Sequence, residues 1–184
     1  MAAMTSVDIV GVFLDVEDGA SVVLLGDADG PTRVLPIIIG RMEADAIARS
    51  AAGVVPNRPG THDLMTELLS LVDARVEEVA ITELRDGTFF AELFVEAVGG
   101  LQAIDARPSD GLALAVRSGA RIVVATSVLD EAGVRLERDV DDQLTDIDIN
   151  AIVSEFGRFL STVSPEDFDP SASGPVEDSD TGGD

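Results

Sequence analysis

The chain has no cysteine, no lysine, no tryptophan and no tyrosine in 184 residues, and it has one histidine. Without cysteine there can be no disulfide, no thiolate metal site and no cysteine nucleophile, and the default expectation is a cytoplasmic protein. No basic segment followed by an apolar stretch opens the sequence. No apolar run approaches the roughly 18 residues of a spanning helix, so no membrane partner is expected. Seven phenylalanines are the only aromatic rings, too few for the run of stacking platforms that single-strand binding proteins use. The missing lysine, alongside abundant Ala, Gly, Val, Asp and Arg, reads first as codon bias. It still leaves every cation a planar, permanently charged fork suited to carboxylate or phosphate.

What is present is an apolar body with a very acidic end. A 46% hydrophobic content supports one folded domain. The net charge of −23 comes from 35 acidic side chains against 12 arginines. Residues 1–128 hold 19 acids and nine arginines, net −10, while residues 129–184 hold 16 acids and three arginines, net −13. The last stretch, SPEDFDPSASGPVEDSDTGGD from Ser164, has almost nothing to bury and is expected to be a disordered tail. The expected division is a domain over 1–132, an acidic linker and amphipathic helix over 133–163, and the acidic tail over 164–184.

Hydrophobic periodicity gives the elements of the body. SVDIVGVFLDV (6–16) and ASVVLLG (20–26) read as a hairpin, and TRVLPIII (32–39) as a third strand whose Pro36 suggests an edge or bulge. GRMEADAIARSAAG (40–53) reads as a helix with Met42, Ala46, Ile47 and Ala51 near one face, ended by Gly53. THDLMTELLSLVD (61–73) reads as a second, capped by Thr61, with Leu64, Leu68, Leu71 and Val72 facing inward. Two strands flank the turn signal RDG (85–87), and LQAIDAR (101–107) is a further strand. SDGLALAVRSG (109–119) is a short helix capped by Ser109, RIVVA (121–125) a strand, and a last helix is expected over 147–161. Strands and helices mix without strict alternation, so the expected class is α+β, a mixed, largely antiparallel sheet with helices packed on it.

Two segments could carry chemistry. RPGTHDL (58–64) and RPSDGL (107–112) each place Arg-Pro just before a Ser or Thr, with an aspartate in the first helical turn. Proline keeps the approach extended, so Arg58 and Arg107 lie beside helix N-termini, where free N–H groups and the helix dipole favour anions. The plain alternative is that each arginine pairs with its own Asp63 or Asp110 as part of a cap. His62 could be a general base, a metal ligand or a surface residue. Zinc would have to be completed by carboxylates, whereas Mg²⁺ or Mn²⁺ held by Glu43, Asp45, Asp63, Asp105 or Asp110 suits the donors better, though no pair has a spacing diagnostic of two metals. Arg41 and Asp45 are also spaced for an ion pair on the helix surface. No P-loop, G-x-S-x-G or H-E-x-x-H occurs.

Taken together and in order, LPIIIGRMEADAIA, RPGTHDL, LRDGTFFAEL and DARPSDGLALAVRSGARI resemble the bifunctional nuclease domain family, also called the DNase/RNase domain, over about residues 5–132. The positions that match the family's motifs are Gly40, Glu43, Arg58, Pro59, His62, Asp63, Asp86, Gly87, Phe89, Asp105, Arg107, Pro108, Ser109, Asp110 and Arg117. One departure is Gly111, where many members carry alanine; glycine there costs a helix up to about 1 kcal/mol.

The resemblance implies an α+β fold, a homodimer and hydrolysis of the phosphodiester bonds of RNA and DNA. On that reading His62, Asp63, Asp105 and Asp110 are the catalytic candidates, Arg58, Arg107, Ser109 and Arg117 the phosphate ligands, and Glu43, Asp105 and Asp110 the ligands of a divalent Mg or Mn, with no organic cofactor. A charge of −23 opposes a phosphate polymer unless arginines concentrate at the site. The competing expectation is therefore a non-catalytic dimeric module that recognises an anion or a protein partner.

Overall fold

The computed structural model describes residues 3–14, 21–28 and 33–135. The helix expected over 147–161 and the tail over 164–184 lie outside the described residues. Eight strands form one sheet: β1 (Met4–Phe13), β2 (Ser21–Asp27), β3 (Arg33–Ile39), β4 (Arg75–Arg85), β5 (Thr88–Ala97), β6 (Gly100–Ala106), β7 (Arg121–Ala125) and β8 (Val134–Arg135), in the order β6-β5-β4-β7-β1-β2-β3-β8. The pairing of β4 with β7 is parallel and the others are antiparallel. With helices α1 (Arg41–Ala51), α2 (Thr61–Leu71), α3 (Pro108–Ser118) and α4 (Thr126–Ala132), this is an open mixed sheet with helices packed on it, the α+β class expected.

Local chemistry explains most boundaries. Between β4 and β5, Asp86 and Gly87 take φ values of 50° and 73°, the left-handed pair a two-residue hairpin turn demands, which is why an Asp-Gly dipeptide stands there. Gly53 follows α1 with φ 67°, donating to Ser50 O, while Val54 donates to Arg49 O, so the helix ends where the glycine predicted. Pro36 sits in β3 beyond the two residues, Arg33 and Val34, that β8 pairs with. Its missing donor costs little at an edge left open among the described residues.

The main core lies between the sheet and α1, α3 and α4. Val23, Leu25, Leu35 and Ile37 from the strands meet Ile47 of α1, Leu112 and Leu114 of α3, and Val128 and Leu129 of α4. Two expectations for the helices need correcting. In α1 the buried residues are Ala44 and Ile47, while Met42 is exposed. In α2 nothing is buried: Leu64, Leu68, Leu71 and Val72 are exposed, and Leu69 is the residue that reaches the core. The leucine pattern was read with the wrong face inward, because α2 leans on α3 and the end of β4 and does not lie across the sheet. α4 and β8 were not anticipated; seven and two residues are too short for periodicity to register.

Gly111 sets how closely α3 approaches the sheet. A Cβ at that position would stand 2.7 Å from Val79 Cγ1 in β4, and valine is stiff at χ1. Gly111→Ala should therefore lower stability by about 1 kcal/mol, the overpacking cost exceeding the helix-propensity gain. In a Val79→Ala background the same change should become stabilising. Urea denaturation of the four proteins checks this, and an unchanged sign in the second background would rule out the contact.

Candidate active site

The first turns of three helices supply the site. α1 starts after Gly40, α2 after Gly60 and α3 after Arg107, with Pro108 at the first helical position. Thr61 and Ser109 were expected as caps, but each lies just inside its helix: the extended residues are Gly60 and Arg107. Asp63 caps α2 in the reverse sense, its Oδ2 accepting the Gly60 N–H at 2.7 Å.

Asp110, in the first turn of α3, is the meeting point. Its Oδ2 accepts from Arg107 Nε at 2.7 Å and its Oδ1 from Arg107 Nη2 at 3.2 Å, a two-point fork. The same Oδ1 lies 3.2 Å from His62 Nε2 on α2. The two Arg-Pro segments, 49 residues apart in the chain, thus touch through His62 and Asp110. Arg107 also reaches Glu43 of α1 at 3.5 Å. A Cβ at Gly40 would overlap the Glu43 carboxylate at 2.2 Å, so the glycine leaves that carboxylate room beside the helix start. Burial pushes the Asp110 carboxyl up, but the hydrogen bonds from Arg107 and His62 outweigh it and hold the group below the usual carboxylate range.

His62 is mostly buried, and its carbonyl accepts from the Thr66 hydroxyl at 2.9 Å. With the Nε2 proton directed at Asp110, Nδ1 is the ring nitrogen left to accept, and it makes no hydrogen bond with a described residue. That arrangement can hold a single tautomer and stabilise the imidazolium when it forms.

Arg117, expected to bind phosphate, is engaged within the fold. Its side chain is 12% exposed, and it donates from Nε to Asp63 Oδ1 at 2.6 Å, from Nη1 to Ala113 O at 2.7 Å and from Nη2 to Ala46 O at 3.2 Å. It braces α1, α2 and α3 against each other. Asp63 is accordingly not paired with Arg58, as a simple cap would have had it. The Arg117 guanidinium, then the Gly60 N–H, hold the Asp63 carboxyl below its ordinary range. On α1, Asp45 pairs with Arg49 at 2.8 Å.

Arg58, His62, Asp63, Asp105, Arg107, Asp110, Arg117 and Glu43 all line one cleft of about 950 Å³, open to solvent. The side chains of Arg58 and Asp105 make no ion pair or hydrogen bond with a described residue. The cleft's apolar wall, with Met65, Leu93 and Ile104, was not foreseen, since those residues read as ordinary core or strand positions. Ser109 faces away, into a side pocket of about 310 Å³ that shares Glu43 and Arg107 with the cleft. Among the described residues no three His, Asp or Glu side chains converge as a metal cluster. Glu43, Asp105 and Asp110 are therefore not assembled as a ligand triad, and Arg107 instead bridges two of them.

The Arg117–Asp63 pair carries a pH signature. A carboxyl depressed in the folded state contributes stability that is fully present above its unfolded value of about 3.9 and is lost as pH falls through the folded value. Arg117→Met should cost about 1–3 kcal/mol at neutral pH, by unpairing a carboxylate and two helix carbonyls. The melting-temperature gap to the parent, followed by circular dichroism, should narrow below about pH 4. A gap indifferent to pH would assign the effect to the carbonyls alone.

The model of the family described as "Bifunctional nuclease domain" matches residues 23–137. An uncharacterized protein of Mycobacterium tuberculosis, MT1877, is 39% identical over 165 residues, 90% of this chain and 98% of that protein. Bifunctional nuclease 1 of Arabidopsis thaliana is 28% identical over 117 residues, 62% of this chain and 36% of the plant protein. Bifunctional nuclease 2 of Oryza sativa subsp. japonica is 29% identical over 116 residues, with 61% and 36% covered. The matched span contains every residue of the cleft, and the chain belongs to the bifunctional nuclease domain family.

Proposed function

We propose that the cleft hydrolyses phosphodiester bonds of RNA and DNA. The observation that carries this is the contact between the two Arg-Pro segments, which puts a histidine, its orienting carboxylate and two arginines on one concave surface. Arg58 and the largely exposed Arg107 take the phosphate oxygens, beside three helices whose first-turn residues line the same cleft. His62 Nδ1 removes a proton from the attacking water as its oxygen bonds to phosphorus. The bond to the leaving oxygen breaks, and that oxygen takes a proton from solvent. Asp110 fixes the histidine tautomer and balances the imidazolium. When Arg107 turns to the phosphate it releases Asp110, which then acts on His62 with its full charge.

The cleft lining has four arginines and five carboxylates, so attraction of a polyanion is local and depends on which pairs open. Among the described residues no three carboxylate or imidazole donors converge, and the steps above are those of the side chains alone. A second reading, a non-catalytic dimeric binding module, draws on a different observation. α2 exposes Leu64, Leu68 and Leu71, and the edge strand β6 exposes Leu101 and Ile104, apolar surface of the kind that subunit interfaces cover.

The test is cleavage of end-labelled single-stranded RNA and double-stranded DNA with Mg²⁺, with Mn²⁺ and with chelator. His62→Ala should lower the rate at least about 100-fold, and Asp110→Asn should lower kcat with little change in KM. Arg107→Ala should raise KM as well. Loss of cleavage in variants with unchanged circular dichroism establishes the hydrolysis. Cleavage that all three retain, or none by the parent, favours the binding module.

A further inference from the structure

The side pocket beside Arg107 has no part in the chemistry above, and its construction is unlike the cleft's. The end of β3 (Ile37, Ile38, Ile39), the hairpin tip (Gly87, Thr88, Phe89) and the start of α3 (Pro108, Ser109) border an open hollow of about 310 Å³. That is the small end of ligand pockets, which run from about 300 to about 1,000 Å³. Its walls are apolar except at Glu43, Arg107, Thr88 and Ser109. Ser109 is only 6% exposed, lines the pocket, and its hydroxyl makes no hydrogen bond with a described residue. The hydroxyl is thus left for solvent or for a ligand in the pocket.

We propose that this pocket is a subsite for one unstacked nucleobase of the strand whose phosphate lies on Arg107. The inference rests on the hydrolytic reading for the placement of that phosphate. Arg107 and Glu43 line both spaces, so a base in the pocket and a phosphate in the cleft would meet the same two side chains. The aliphatic walls and the Phe89 ring suit a flat heterocycle. The Ser109 hydroxyl can donate to or accept from its edge, and the Glu43 carboxylate can accept an N–H. A paired base inside a duplex cannot enter such a pocket, so the substrate it selects is single-stranded RNA or DNA, a loop or a frayed end. One phenylalanine makes one subsite, which agrees with a chain too poor in aromatics for a stacking track.

The experiment is isothermal titration calorimetry of the full chain with the four common nucleoside 5′-monophosphates and with ribose 5-phosphate, which has the phosphate and sugar but no base. At least one nucleotide should bind about tenfold more tightly than ribose 5-phosphate. Phe89→Leu, which keeps apolar volume but removes the ring, should erase about tenfold of that advantage, and Ser109→Ala should reduce it severalfold. Neither should alter ribose 5-phosphate binding. Ser109→Ala is the safeguard if Phe89→Leu fails to fold. Equal affinity for nucleotide and sugar phosphate, no binding of either, or a base advantage untouched by both variants would overturn the subsite, even in a protein that cleaves. A base advantage that the variants remove, in a protein that cleaves nothing, would leave the subsite standing and overturn the hydrolytic reading alone.

Discussion

The carboxylate of Asp110 joins the two halves of the site, and the cleft depends on it. One oxygen pair accepts a fork from Arg107, and the same group meets His62 on a neighbouring helix. Both partners come from segments that would otherwise be separate helix starts. Being partly buried, the carboxylate loses hydration, so it needs these partners as much as they need it. The result is a histidine and an arginine from separate segments held on one carboxylate beside the cleft.

A second brace keeps that geometry. Arg117 spends its guanidinium on Asp63 and on carbonyls of α1 and α3, fixing three helices that the sheet alone would not hold in register. This matters most for α2, which buries none of its residues and reaches the main core through Leu69. Electrostatics at the site is thus largely internal: most of its arginines are neutralised by neighbours before any ligand arrives. Arg58 and the exposed arm of Arg107 are the cations that face outward.

That internal balance bears on how so acidic a chain could meet a phosphate polymer. With more negative than positive groups in the lining, long-range steering is weak. On the proposed reading, recognition would rest on short-range contacts, namely residues at helix starts, a rearranging arginine and the pocket beside it. Such contacts act within a few ångströms and tolerate a net charge of −23 far better than a diffuse basic surface could.

Strand boundaries, the Asp-Gly hairpin, the glycine that ends α1 and the class of the fold were legible in the sequence, because alternation, turn chemistry and caps are local. The motif residues were legible as a family pattern for the same reason. The inward face of α2 was misread, since amphipathicity gives a helix an apolar side without saying what covers it. The bracing by Arg117 was not legible, because a sequence does not reveal that three carbonyl and carboxylate oxygens from different helices surround one guanidinium. The sequence by itself determined which elements form and which residues have the chemistry for a site. Tertiary structure alone decided that His62 and Asp110 touch, that Arg117 faces inward and that Ser109 opens into a separate pocket, because each depends on distances between segments tens of residues apart.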